Sequence, residues 1–307
     1  MKRARLFFLG IVVLTLVVAS CRGDAEAASA ALRQERDQRT ARLASKLADS
    51  ATSDSTPLAR WILPNDLAEI SGLVLAPDGR LFAHDDEQGR VTVIDPRTGF
   101  VGKAFKLKGK DVQEDFEGIT LVDDTFYMVT SRGKIYTFTE GQDGKTVPFK
   151  TYDTRLGKEC EFEGITHDPT TSQLVLPCKR PGDRNLRDQV VIYRVAVPLG
   201  EDRPQFQAVP IDAFRGTHAW KELQPTDIVR DSVTGHFIMV AAPQKALIEL
   251  SPTFEVVRAV PLPAGHDQAE GVALTRDRVL IISDEAKEGP AAITLYRWPI
   301  VRRDTLP

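Results

Sequence analysis

Asp115-Phe116-Glu117-Gly118-Ile119 and Glu161-Phe162-Glu163-Gly164-Ile165 are two copies of one pattern. Looser copies extend the series: Ile70-Ser71-Gly72-Leu73 before them, and Pro225-Thr226-Asp227-Ile228 and Ala269-Glu270-Gly271-Val272 after them. Their second positions are separated by 46, 46, 63 and 44 residues. Each copy leads through a turn into an apolar run, such as Ala76-Pro77-Asp78-Gly79 into Leu81-Phe82-Ala83, or Asp168-Pro169-Thr170-Thr171-Ser172 into Leu174-Val175-Leu176. A third run follows each time, from Val91-Thr92-Val93-Ile94 in the first unit to Ile293-Thr294-Leu295-Tyr296 in the fifth. Short strands recurring with turns at about 40–50 residues are the sequence mark of a β-propeller.

A fourth strand is visible in four units, for example Ala104-Phe105-Lys106-Leu107, but the fifth unit ends before supplying one. Leu58-Ala59-Arg60-Trp61-Ile62-Leu63, at the other end of the repeat region, is the expected substitute. It would close the ring and leave no open sheet edge. The expected fold is therefore all-β: a five-bladed propeller over 58–307, closed by an N-terminal strand. The 63-residue gap leaves six blades as the alternative. Its extra length lies in Lys179 to Gln189 and in Ile211 to Leu223.

The signature opens the innermost strand of each blade, and all five innermost strands crowd around one axis. Glycine at the third position in four copies suits close backbone approach. Asp227 replaces it in the fourth, either as a further ligand or as a filler of the gap. The second positions, Ser71, Glu117, Glu163, Thr226 and Glu270, point into the channel mouth. Three carboxylates converging there repel one another unless protonated or neutralised by a cation. The donors are all oxygen, which suits a hard cation, and a roomy ring of side chains suits Ca²⁺ better than Mg²⁺. The competing reading is a set of glutamates bonded to neighbouring backbone amides.

The pattern, read from Ile-Ser-Gly-Leu through Phe-Glu-Gly-Ile to Glu270-Gly271-Val272, resembles the SdiA-regulated (YjiK-like) family of bacterial propellers over about residues 60–300. That resemblance implies a fold more than a reaction. The order hydroxyl, Glu, Glu, hydroxyl, Glu is also similar to the central calcium site of calcium-activated nucleotidases (apyrases), although Asp227 departs from that pattern.

The ends of the second strands share the face of the signature. Asp85 and Asp86 in the first unit, with Asp284 and Glu285 in the fifth, form an expected acidic sector. Arg132, Lys179, Arg180 and Lys245 form a basic one that could hold an anion beside the metal. No H-E-x-x-H, G-x-S-x-G or EF-hand loop is present, and Gly144-Lys145-Thr146 lacks the rest of a phosphate loop. Cys160 and Cys178 fall on the first and second strands of the third unit, where an antiparallel hairpin sets them roughly opposite each other; a disulfide is expected, with two buried thiols as the alternative.

The chain has 307 residues with a net charge of −3, 42% hydrophobic and 27% charged. That charge argues against nucleic-acid binding, and a single long apolar run argues against a polytopic membrane protein. The run, Leu6 to Val18, follows Lys2, Arg3 and Arg5 and precedes Ala19-Ser20-Cys21, so residues 1–20 read as a secretory signal. Val18-Ala19-Ser20-Cys21 resembles a bacterial lipobox, which implies lipidation at Cys21; an ordinary signal peptide is the alternative. Arg22 stands where an aspartate would favour inner-membrane retention, so the expected location is the periplasmic side of the outer membrane or the cell surface. Residues 21–57 read as a tether, a solvated helix over Ala25 to Asp49 and then a Ser/Thr/Asp linker. The expected protein is a monomeric, lipid-anchored binding module for an envelope protein or an anionic small molecule. The alternative is a calcium-dependent phosphohydrolase or esterase acting on an anionic nucleotide or phosphate ester.

Overall fold

The structure, a computed structural model, describes residues 3–49, 55–109, 112–215, 218 and 220–300, with side chains in the N-terminal helix from residue 26 onward. It divides into two compact units, 1–50 and 51–307.

The first unit is one helix, α1 (Arg3–Ala48), running through both the expected signal and the expected tether. Ala, Glu, Arg and Gln favour helix here, and its side chains beyond residue 26 are mostly exposed. Among the described residues no helix is long and apolar enough to cross a membrane. The Cys21 side chain lies outside the described ones, as does most of the expected linker, residues 50–54.

The second unit is a five-bladed β-propeller. Its strands in chain order are β1 (Ala59–Ile62), β2 (Ile70–Leu75), β3 (Leu81–Asp85), β4 (Arg90–Ile94), β5 (Val101–Leu107), β6 (Phe116–Val122), β7 (Thr125–Thr130) and β8 (Lys134–Thr139). Then come β9 (Thr146–Val147), β10 (Phe149–Asp153), β11 (Cys160–Phe162), β12 (Thr166–Asp168), β13 (Gln173–Pro181), β14 (Gln189–Ala196) and β15 (Gln205–Pro210). The last two blades are built from β16 (Asp227–Arg230), β17 (Phe237–Ala241), β18 (Ala246–Leu250), β19 (Val256–Pro261), β20 (Ala269–Leu274), β21 (Val279–Asp284) and β22 (Ala292–Arg297). From the axis outward, the blades are β2-β3-β4-β5, β6-β7-β8-β10, β11/β12-β13-β14-β15, β16-β17-β18-β19 and β20-β21-β22-β1. Short β9 adds in parallel to the edge of the first blade.

The inner strands form a closed ring, β2 beside β6, β6 beside β12, β12 beside β16, β16 beside β20, and β20 beside β2. Second strands are covered on both faces by neighbouring blades and so read as unbroken apolar runs; every residue of β17 and β21 is buried. Outer strands such as β10 and β19 are half-exposed. The core lies between blades. Phe82, Phe126 and Phe138 pack between the first and second, with centroids 4.9 Å apart for the tilted Phe82–Phe126 pair and 5.4 Å for the stacked Phe126–Phe138 pair. Val190 and Ile192 share a cluster with Phe237 and Met239 between the third and fourth.

Closure follows the expectation. β1 pairs antiparallel with β22, Ala59 opposite Leu295 and Ile62 opposite Ala292. Arg60 secures it, donating to Gly265 O at 3.2 Å and Thr294 Oγ1 at 3.0 Å and standing 3.5 Å from Asp284 Oδ2. Trp61 Nε1 donates to Pro96 O of the first blade.

Among the described residues of the 63-residue gap the only strands are those of the third blade, so the six-blade alternative falls. The surplus extends the β13–β14 hairpin, with a short 3₁₀ turn at Arg184–Leu186, and supplies a second such turn, Ile211–Phe214. Ile211, Phe214, Trp220 and Leu223 fill the seam between blades three and four. Cys160 and Cys178 are disulfide-bonded, with Cα atoms 5.7 Å apart. They are not directly opposite: a register shift after Glu161 pairs Cys178 with Phe162 and Cys160 with Pro181.

Candidate metal centre

The bulges explain how the signature works. The inner-strand ladder skips at Glu117, between Phe116 and Gly118, and at Glu270, between Ala269 and Gly271. It skips likewise across Ser71-Gly72, and the third inner strand breaks at Glu163-Gly164-Ile165. A bulge leaves one residue unpaired and re-aims its side chain, here into the mouth. The next residue must then pass close to the neighbouring blade. A Cβ on Gly118 would lie 2.7 Å from the Cα of Gly164, and one on Gly271 would lie 2.5 Å from Ser71 O.

The mouth encloses about 150 Å³, lined by Glu69, Ile70, Ser71, Asp86, Glu117, Glu163, Lys179, Gln268, Glu270 and Glu285. Six carboxylates therefore meet one ammonium. Burial pushes Glu117 up to about 10, and the charges of Glu163 and Asp115 push the same way. Burial takes Glu163 up to about 7 although Lys179 opposes it, and Glu270 also rises through burial against Lys179. At the rim, burial raises Asp86 to about 6, helped by Asp85 and Glu69, and raises Glu285 to about 8, helped by a hydrogen bond with Glu69. Among the described residues, Glu69, Asp86 and Glu285 offer three carboxylate oxygens within 4.8 Å of one another. Asp86 Oδ1 is buried without a hydrogen-bond partner, and Gln268 Nε2 donates to Glu285.

Four of the five expected ring residues line the mouth. The fifth, Thr226, does not: its hydroxyl donates to Ala269 O at 2.6 Å, because the fourth inner strand starts without a bulge and keeps that side chain against the next blade. Asp227 fills the gap left by the missing glycine. Its fully buried carboxylate accepts from Val272 N at 2.8 Å and from the amides of Ile228 and Leu73, and burial holds its pKa well above the ordinary range.

The face around the mouth differs from the expected acid and base sectors. Lys179 is not part of a free basic arc; its Nζ donates to Glu163 Oε1 at 2.6 Å inside the mouth. Arg180 pairs with Glu161 and Lys245 with Asp267, while Arg132 is exposed away from the cavity lining. Asp85 accepts from the amides of Glu87 and Gln88 and so serves its own turn. Asp284 is held by His266 Nδ1 at 2.7 Å and by Arg60, which makes it part of ring closure. Asp86 and Glu285 do face the cavity.

Glu69 and Gln268 were missed, yet they carry a signal. Two residues before each signature second position stand Glu69, Asp115, Glu161, Gln224 and Gln268, all acids or amides. Strand side chains alternate, so residues two apart share a face. His84 was also passed over. Buried and outside the cavity lining, it accepts from Gly72 N through Nε2 at 3.0 Å, and burial holds its pKa down to about 4.

No family model matches the chain, and no curated protein matches it. Its architecture recurs among solved structures, including these two. The aldose sugar dehydrogenase of Streptomyces coelicolor, solved with PQQ bound, has a TM-score of 0.51 at 14% identity, covering 78% of this chain and 98% of that one. The likeness is one of fold. The glutaminyl cyclase of Myxococcus xanthus gives the same answer, with a TM-score of 0.52 at 12% identity over 78% of this chain and 94% of that one. Such likenesses place the chain among β-propellers, a fold shared by enzymes and binding proteins, and carry no reaction with them.

Proposed function

We propose that this protein is a propeller of the SdiA-regulated kind whose mouth binds a divalent cation, Ca²⁺ by preference, and which acts as a binding module for a ligand or protein. One observation carries the reading: six carboxylates and one ammonium line a cavity of about 150 Å³. The donor set is oxygen-only, Asp86 Oδ1 is buried without a partner, and the carboxylates are raised by burial and crowding. A hard cation satisfies all three conditions. Glu69, Asp86 and Glu285 would hold it with help from Ser71, Glu117 and Glu270. The bound ion would stiffen the ring by removing the repulsion between blades. The family resemblance rests on the motif series. The lipidated Cys21, the outer-membrane or cell-surface location and the monomeric state belong to the same proposal.

The hydrolase alternative draws no support from the site. The cavity is about half the roughly 300 Å³ at which pockets for small organic ligands begin. Of the four cations expected to hold an anion, Lys179, Arg180 and Lys245 are paired with carboxylates, and Arg132 is outside the cavity lining. Calorimetric titration of the metal-free protein with Ca²⁺ and Mg²⁺ tests the reading. One Ca²⁺ bound more tightly than Mg²⁺, with a raised melting temperature, is expected. No heat and no thermal shift at millimolar Ca²⁺ would overturn it.

A further inference from the structure

Lys179 stands out from the other cations of this face because it projects into the cavity. Its Nζ is 2.6 Å from Glu163 Oε1 and 4.0 Å from Glu161 Oε1. The Glu163 side chain is 4% exposed and that of Lys179 20%, so solvent does little to screen the pair. Its charge also reaches Glu117 and Glu270, and each of the three ring glutamates is eased by it. Lys179 follows Cys178, whose disulfide to Cys160 fastens β13 to the strand leading into Glu163. The strand that carries the ammonium is thus covalently stapled to the strand that ends one residue before its carboxylate.

We propose that Lys179 is a tethered counter-cation that determines the affinity of the mouth for divalent ions. This deepens the calcium reading above and rests on it. Glu163 is buried deeply enough to require a positive partner, and Lys179 supplies one permanently. An incoming metal ion finds Glu163 already engaged and feels the repulsion of the ammonium a few Å away. Lys179 therefore keeps the metal-free ring folded, and it weakens metal binding by the same charge. A purely structural lysine would do only the first.

The test uses the whole chain, titrated calorimetrically with CaCl₂ as wild type, Lys179→Met and Lys179→Arg, together with melting temperatures in EDTA. Lys179→Met is expected to bind Ca²⁺ at least about tenfold more tightly, the effect of deleting one nearby unit charge, while melting lower without metal. Lys179→Arg keeps the charge and should stay within about threefold of the wild type. Lys179→Met that melts lower but binds Ca²⁺ no more tightly overturns the proposal. Should the wild type bind no Ca²⁺, the calcium reading fails, and the pairing is decided in EDTA by adding Glu163→Gln to Lys179→Met. Recovery of the lost melting temperature upholds Lys179 as the counter-cation of Glu163; no recovery removes that role too.

Discussion

Replacing Glu117 by Gln should stabilise the metal-free protein and weaken its response to calcium. In the folded state burial and like charge push Glu117 up to about 10, against 4.5 in the free side chain. At pH 7 the folded protein therefore holds a proton there that the unfolded chain releases. That difference costs stability, at about 1.4 kcal/mol per pH unit between 4.5 and 7, or on the order of 3 kcal/mol. Partial solvent access and the coupling to Glu163 reduce it to about 2 kcal/mol, which for a domain of this size is a rise of about 4–8 °C in melting temperature. Because the folded pKa is raised, the cost grows as pH rises above 4.5 and vanishes below it. The advantage of Glu117→Gln should accordingly be large at pH 8 and absent at pH 4.5. Calcium reverses the order: a ligand at 100 times its Kd adds about 2.7 kcal/mol to the wild type, and the variant should gain clearly less. Scanning calorimetry in EDTA and in excess CaCl₂, at both pH values, reads all four states. A variant that melts lower than the wild type in EDTA at pH 8, or that keeps the full calcium increment, would refute the reasoning.

Three further outcomes are expected. His84, held down to about 4 by burial, stays neutral in the fold while the unfolded chain takes up a proton below 6.5. It should therefore cost the wild type about 3 kcal/mol between pH 6.5 and 4. His84→Gln should lack that loss in urea melts in EDTA, and parallel pH profiles would contradict it. Arg60→Met removes the side chain that pins the closing strand and leaves Asp284, with a side chain 5% exposed, to His266 alone. A loss of about 1–3 kcal/mol should appear with faster amide exchange in β1 and β22 specifically, and uniform exchange would count against a latch. Cys21→Ala should move the expressed protein from the membrane to the soluble fraction and remove an acyl mass adduct; unchanged fractionation would count against lipidation.

Most of the fold was legible along the chain. The repeat is local: each unit carries its own signature, turn and apolar run, so five units and the lone strand around Arg60 and Trp61 could be counted without knowing how they meet. That count leaves a sixth blade open, because nothing local in the chain says that Ile211 and Phe214 go into the seam between blades three and four. The site was half legible. The bulges put Glu117 and Glu270 where the spacing said, and Glu163 reaches the same mouth where its strand breaks. The hydroxyl of Thr226 obeys a neighbouring carbonyl, Ala269 O, that no pattern within its own unit announces.

What the sequence determined by itself was the period, and with it which residues open the inner strands. Tertiary structure decided the sign and sharing of charge at the mouth. Glu69 and Glu285 meet across the closure of the ring, and Lys179 reaches Glu163 across a hairpin whose register slips. Backbone geometry repeats unit by unit and is written locally. The electrostatic field of the mouth is a sum over side chains drawn from four blades, and it exists only once the ring has closed.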